Sequence, residues 1–308
     1  MDIKVLILGG DGMLGHRLFL HLKNRVITKI TLRHSKNNWL YKKHNYLCSS
    51  DNAFHNINVN NVEHIINTYQ PDYVINCIGV IKQNKTLQNN YIANIEINAL
   101  FPHKLAEICN KNSAKLITFS TDCVFSGMTG NYSEESKPDP VLLYDQVKLL
   151  GEIVNKKHCL TIRSSFIGLE LKNKQSLIEW FLSQTGTIQG FTKAIYSGVT
   201  TLEMARIIDH IITKNKFMSG VWHVASRPIS KYEILSLLQE KINKTDIIIE
   251  KNNDFSCNRS LLGNKFEENS GYKISNWNKM LDELASEIKT RENLVKNKVT
   301  TSENIEYA

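Results

Sequence analysis

"IKVLILGGDGMLG", residues 3 to 15, decides how the rest of the chain is read. A continuous apolar run closed by glycines is the pattern of a strand buried on both faces of a parallel sheet. The residues that follow, "GMLGHRLFLHLKN", set Leu14, Leu18 and Leu22 at helical spacing. Between strand and helix, Gly9, Gly12 and Gly15 stand in a G-x-x-G-x-x-G spacing. Gly9 suits a tight turn, Gly12 lets the backbone approach a pyrophosphate, and Gly15 lets the helix pack closely on the strand. The helix start also offers unpaired N–H groups and the positive end of its dipole to phosphates. Gly9, Asp11, Gly12, Met13, Leu14 and Gly15 are therefore candidate contacts of a dinucleotide cofactor.

The alternation continues. "VITKITLRH" reads as a second strand, "NVEHIINTYQ" as a helix stopped by Pro71, and "DYVINCIGV" as another buried strand. "NNYIANIEINALFPHKLAEICNKN" is a long helix with a kink expected at Pro102. "AKLITFSTDCVF", "DPVLLYDQVKLLGEIVNKK" and "CLTIRSSFIG" then give strand, helix and strand. Such spacing implies right-handed crossovers and an α/β fold, a Rossmann-type doubly wound parallel sheet. Ligands of such sheets sit beyond the carboxyl ends of the strands. After about residue 165 the rhythm changes. "SLIEWFLSQ" and "TLEMARIIDHIITK" read as helices, and "GVWHVAS" and "DIIIEKN" as short strands. "GTIQGFTKAIYSG" and "NNDFSCNRSLLGNKF" read as loops. The expected organisation is a cofactor-binding domain over 1–165, to which some later segments return. A smaller α/β substrate-binding cap follows, mainly over 166–290, and then a polar tail over 291–308.

The end of the second strand speaks to the cofactor. An NAD site usually offers Asp or Glu there, whereas a basic residue suits the 2′-phosphate of NADP. In "TLRHSKNN" the residues in question are Arg33, His34 and Lys36. NADP(H) is therefore expected in preference to NAD(H), with Arg33 as the main phosphate contact because guanidinium binds it bidentately.

A second constellation lies in "STDCVFSG", residues 120 to 127, and "YDQVK", residues 144 to 148. Tyr144 and Lys148 are four apart and share a helix face. A tyrosine is a poor acid–base catalyst at its usual pKa of about 10. A neighbouring ammonium and the positive charge of an oxidised nicotinamide favour the phenolate; a lowering of about three units takes roughly 4 kcal/mol. Thr121, at the end of the preceding strand, is placed to hydrogen-bond the same substrate oxygen.

Composition narrows the alternatives. The 308 residues are 42% hydrophobic and 22% charged, ordinary for a globular protein. No apolar run approaches 18 residues, so no membrane association is expected, and the first apolar run is too short and too early for a signal peptide. A cytoplasmic location follows as the expectation. Six cysteines without a C-x-x-C pair suggest reduced thiols, and neither they nor the ten histidines show metal-ligand spacing, so no metal is expected. The net charge of +8 invites a nucleic-acid reading. The excess can be assigned to residues 12–50, which lack acidic residues and hold eight Lys and Arg. No recognition module accompanies them, so no nucleic-acid partner is expected.

"GGDGMLG", "INCIG" (75 to 79), "STDCVFSG", "YDQVK" with "LLGE" after it, and "IRSSFIG" (162 to 168) together resemble the extended short-chain dehydrogenase/reductase family. Within it they resemble the dTDP-4-dehydrorhamnose reductase branch, with specific motifs over about residues 1–170 and a looser likeness in the cap. The resemblance implies that Thr121, Tyr144 and Lys148 are catalytic, the last two also touching the cofactor. It implies that Ile78 and Gly79 border the cofactor, that Asn58 and Val59 lie near the adenine, and that Asn98 is a supporting polar residue. The branch typically has an aromatic residue where this chain has Cys123; 4,6-dehydratases of the family carry Glu there. Cys123 reads as a small packed thiol on the substrate side. Lys193 and Arg259 are candidate contacts of the substrate's phosphates. The implied activity is NADPH-dependent reduction of the keto group of a nucleotide-linked 4-keto-6-deoxysugar, in polysaccharide biosynthesis, by a chain that can form a homodimer. An epimerase or epimerase-reductase on the same fold is one alternative, and a non-catalytic NADP-binding regulatory subunit another.

Overall fold

The structure, a computed structural model, describes residues 2–47, 52–81, 90–172 and 175–303. Cys48 lies outside the described residues. Six strands of the central sheet are β1 (Lys4–Leu8), β2 (Ile27–Thr31), β3 (Ala53–Phe54), β4 (Tyr73–Asn76), β5 (Lys115–Ser120) and β6 (Cys159–Arg163). A seventh, Gly220–His223, comes from the later half of the chain and forms one edge. The order is Gly220–His223, β6, β5, β4, β1, β2, β3, parallel throughout. The chain winds outward from β1 to β3 and then returns to β4. Between β1 and β4 lies the reversal at which open α/β sheets bind ligands.

The continuous apolar runs are explained by two buried faces. Val5, Ile7, Ile30, Ile75, Ile117 and Ile162 face one core, closed by helices Met13–Leu22 and Thr201–Thr213. Leu6, Leu8, Val74 and Leu116 face the other, closed by Val62–Tyr69 and Phe101–Lys111. The long helix starting at Tyr91 contains a π-helical stretch, Ile95–Leu100, immediately before Phe101 and Pro102. Proline donates no backbone hydrogen bond, and one wider turn absorbs the mismatch.

One stretch expected as a loop is a strand, and the strand expected at "DIIIEKN" runs on into the start of the other. Gly186–Tyr196 is the middle strand of a three-stranded sheet, between Ile229–Ser230 and Ile247–Asn258. Gly190 answers to packing: a Cβ there would stand 2.7 Å from the Tyr232 ring on helix Lys231–Ile242. Ile247–Asn258 is polar because it is the sheet's outer strand, with a register shift between Asn252 and Ser256. Ile188, Ile234, Leu238, Met280 and Leu281 continue the first core into this layer. The last helix, Trp277–Glu303, seats Met280, Leu281, Leu284, Ala285 and Ile288 on it, and its backbone continues into the stretch read as a polar tail. Among the described residues, no helix is long and apolar enough to cross a membrane.

Candidate active site

The glycine loop leaves β1 through Gly9, whose φ of 77° favours glycine. A Cβ on Gly15 would fall 2.2 Å from the Gly9 carbonyl oxygen, so only glycine lets the helix start this close to the strand. A Cβ on Gly12 would meet only that oxygen, at 3.3 Å, and otherwise project into open space. That space, beside Met13 and Leu14 in the first helical turn, is a cradle a side chain would fill, and it fits a pyrophosphate. Buried His16 makes a 2.8 Å hydrogen bond from Nδ1 to the Gly12 carbonyl. Burial pulls its pKa down to about 4, so it steadies the loop without adding charge. Across the reversal, the Gly9 turn packs against Cys77 and Ile78. Asn98, in the π-helical stretch, pins the segment beyond: its Oδ1 accepts from Val80 N (3.1 Å) and its Nδ2 donates to Val80 O (2.9 Å). A Cβ on Gly79 would stand 3.4 Å from the same Oδ1.

Arg33 is exposed just beyond β2 and has no carboxylate partner among the described residues. Its neighbour His34 accepts from Asn56 N, so the corner is shared with the turn that leads to Asn58 and Val59. Elsewhere the basic segment is partly neutralised by later acids: Arg17 pairs with Glu287 at 2.7 Å and Arg25 with Asp209 at 3.0 Å.

β5 delivers Thr121 to the same edge of the sheet. Its Oγ1 accepts from Cys123 N at 3.1 Å, capping the 3₁₀ turn Asp122–Val124, and donates to Asp122 Oδ1 at 3.1 Å. Helix Leu143–Leu150 then carries Tyr144 and Lys148 on one face. Gly151 ends that helix against the π-helical stretch, where a Cβ would collide with the Asn98 carbonyl oxygen at 2.0 Å. The Thr121 side chain lies close enough to the Tyr144 hydroxyl to bear on its pKa. Lys148 Nζ donates to the Phe119 carbonyl at 2.6 Å.

Burial, with Cys123, Asp122 and Asp145 nearby, holds the Tyr144 phenol above its ordinary value, outweighing the opposing influence of Thr121. Tyr144 is thus protonated across the neutral range. Burial also brings Lys148 down from 10.5 to about 8, against the opposing pull of Glu152. The folded chain therefore releases a proton between about pH 8 and 10.5 that the unfolded chain retains. The cost of burying this cation is full below pH 8 and fades as the pH rises through that window. Lys148→Met should accordingly melt no lower than wild type at pH 7, with any advantage shrinking towards pH 10, while turnover falls. Thermal melts across that range check it; a lower melting temperature at pH 7 contradicts it.

Cys123 is a poor nucleophile, its thiol pushed up to about 12 by burial and by Asp122. Arg259 comes off the end of the outer cap strand to meet it, an Nη lying 3.2 Å from Cys123 Sγ. Its Nε donates to the Phe125 carbonyl (2.9 Å), and the other Nη is 3.6 Å from Asp145 Oδ2. Arg259 therefore links the cap to the turn that carries Thr121. Lys193 is exposed on strand Gly186–Tyr196, paired in register with Ser256, and is not drawn into this cluster. Sequence reasoning assigned no role to the buried Glu152–Arg163 pair, although both residues lie in motifs it quoted. Among the described residues no disulfide and no cluster of metal-ligating side chains is present.

The profile of the RmlD substrate binding domain matches residues 3–290. A probable low-salt glycan biosynthesis reductase, Agl14, of Haloferax volcanii is 27% identical over 241 residues, covering 72% of this chain and 74% of the relative. The methionine adenosyltransferase 2 subunit beta of Bos taurus is 30% identical over 155 residues, 48% of this chain and 41% of its own length. Among solved structures, the dTDP-4-dehydrorhamnose reductase of Bacillus anthracis in complex with NADP has a TM-score of 0.71 at 19% identity, covering 93% of this chain and all of that one. Bordetella bronchiseptica WbmG, in complex with NAD and UDP, has a TM-score of 0.74 at 16% identity, covering 94% and 96%. The match over nearly the whole length, with the glycine cradle and the Thr121–Tyr144–Lys148 cluster on one edge of the sheet, shows that the chain belongs to the RmlD substrate binding domain family, the dTDP-4-dehydrorhamnose reductase-like branch of the extended short-chain dehydrogenases/reductases.

Proposed function

We propose that this member of a nucleotide-sugar reductase family reduces the keto group of a nucleotide-linked 4-keto-6-deoxysugar, using NADPH in preference to NADH. The observation that carries the reading is the protonated Tyr144 hydroxyl beside Thr121, one helical turn from Lys148 and on the sheet edge that bears the glycine cradle. A nicotinamide seated along that edge supplies the hydride. Thr121 orients the sugar carbonyl, and Tyr144 gives its proton to the carbonyl oxygen as negative charge develops there. Lys148 lies where its ammonium can hold the nicotinamide ribose and restore the proton. The resemblance to Agl14 supports a role in glycan synthesis, and the UDP of WbmG supports a nucleotide diphosphate as the handle. Arg259 and Lys193 are proposed as its cap-side contacts. A reducing, cytoplasmic setting suits the five described cysteines, all unpaired. Incubation with UDP-, dTDP- and GDP-linked 4-keto-6-deoxysugars, with NADPH absorbance followed, tests the reading. Consumption of one NADPH per sugar supports it, and conversion without net consumption points to an epimerase.

The cofactor preference is tested separately. Arg33→Asp should weaken NADPH binding at least tenfold more than NADH, because a bidentate phosphate partner becomes a like charge. Direct titration of both cofactors checks this, and equal losses would remove Arg33 from the 2′-phosphate site.

A further inference from the structure

Asp11 puts a carboxylate inside the loop assigned to the cofactor's pyrophosphate, and it is 8% exposed. A diphosphate entering there meets a negative charge of the protein's own. His16 is neutral and Arg17 is committed to Glu287, so neither offsets it. The offset comes from residue 172. Lys172 Nζ lies 2.8 Å from Asp11 Oδ2, an ion pair across 161 residues with both side chains largely shielded.

Lys172 is braced to do this. Glu170 fixes the segment that carries it, accepting from Gln175 N (2.9 Å) and Ser176 N (3.0 Å). The Glu170 backbone N–H is itself held by Glu179 Oε1 at 2.8 Å. The same Asp11 Oδ2 also accepts from the Tyr41 hydroxyl at 3.3 Å, and that hydroxyl accepts from His34 N at 3.1 Å. A continuous polar chain thus joins the corner beyond β2, the glycine loop and a segment from the far side of the sheet.

We propose that Lys172 is a cofactor-binding residue, a cationic strap across the glycine loop that neutralises Asp11 and presents its ammonium to the cofactor's pyrophosphate. An ammonium has three donors, and the bond to Asp11 uses one. The strap acts on the diphosphate common to both cofactors, and so differs from Arg33, which is assigned to the 2′-phosphate. The proposal rests on the dinucleotide reading of the loop.

The test is direct titration of NADPH and NADH into the full chain and its variants, by tryptophan or nicotinamide fluorescence, at several salt concentrations. Lys172→Met should weaken both cofactors by the same factor, roughly tenfold, the scale of one charge-assisted hydrogen bond. Its affinity should also depend less steeply on salt than wild type's, since one cation has left the anion site. Lys172→Arg should restore most of the binding. Adding Asp11→Asn to Lys172→Met should recover part of the loss, because the uncompensated carboxylate has gone. Unchanged affinity in Lys172→Met, or a loss with wild-type salt dependence and no recovery in the double variant, overturns the strap. Failure of the wild-type chain to bind either cofactor would instead overturn the dinucleotide reading itself.

Discussion

Tyr144→Phe should lower the catalytic rate by about 10²–10⁴-fold, the scale of a positioned general acid, while NADPH binding stays close to wild type. The substitution removes one oxygen and keeps the ring. Its packing on the helix and the fit of Gly151 against the π-helical stretch are left as they were. What is lost is the hydroxyl that stands beside Thr121 and holds its proton through the neutral range. The direction of that pKa shift matters. A phenol held above its ordinary value is ready to donate as a ketone is reduced, whereas the reverse oxidation first needs its proton removed. The rate of reduction by wild type should therefore stay level through neutral pH and fall only at alkaline pH. Single-turnover measurements with a saturating 4-keto sugar check both points. A Tyr144→Phe chain that turns over at the wild-type rate would favour the non-catalytic reading.

Much of this site was legible in the sequence because its elements are local. The glycine spacing, the Tyr144–Lys148 interval and the strand end at Thr121 each fall within a few residues, and parallel topology then brings them to one edge. What escaped were features that arise from long-range packing. The stretch "GTIQGFTKAIYSG" read as a loop, yet it is a strand in which Gly190 gives clearance for Tyr232. Nothing near residue 172 announces a partner at residue 11, because the pair is made by tertiary packing alone. The surroundings of Tyr144 were hidden for a related reason. Spacing put a cation beside the phenol, but the carboxylates of Asp122 and Asp145 and the depth of burial are three-dimensional facts.

The same limit hid the polar network under the turn that carries Thr121, where the largest stability effect is expected. Arg163 is 5% exposed and Glu152 7%, and they meet through two hydrogen bonds: Nε to Oε1 at 2.8 Å and an Nη to Oε2 at 2.7 Å. Ser120 Oγ adds a third to Oε1 at 2.6 Å, directly before Thr121. The other Nη of Arg163 faces His223 Nε2 at 3.3 Å, while His223 Nδ1 donates to the Tyr132 carbonyl at 3.1 Å. This arrangement requires neutral His223, and burial with the Arg163 charge lowers its pKa to about 3. Because the unfolded histidine binds its proton near pH 6.5, stability contributed by the neutral form is lost as the pH falls from about 6.5 towards 3. Replacing both members of a buried ion pair by apolar residues is often tolerated, but removing one partner typically costs about 3–5 kcal/mol because a charge is left unpaired. Arg163→Met should accordingly destabilise the chain by about that much and disturb Thr121 through Ser120. The deficit should narrow in mild acid, where a lone buried carboxylate takes up a proton. Glu152→Leu combined with Arg163→Met should recover much of the loss at neutral pH. Urea unfolding of the three variants at pH 7.5 and pH 5.5 decides the matter. A loss below about 1 kcal/mol, or a double variant no more stable than Arg163→Met, would show that the pair does not act as one buried unit.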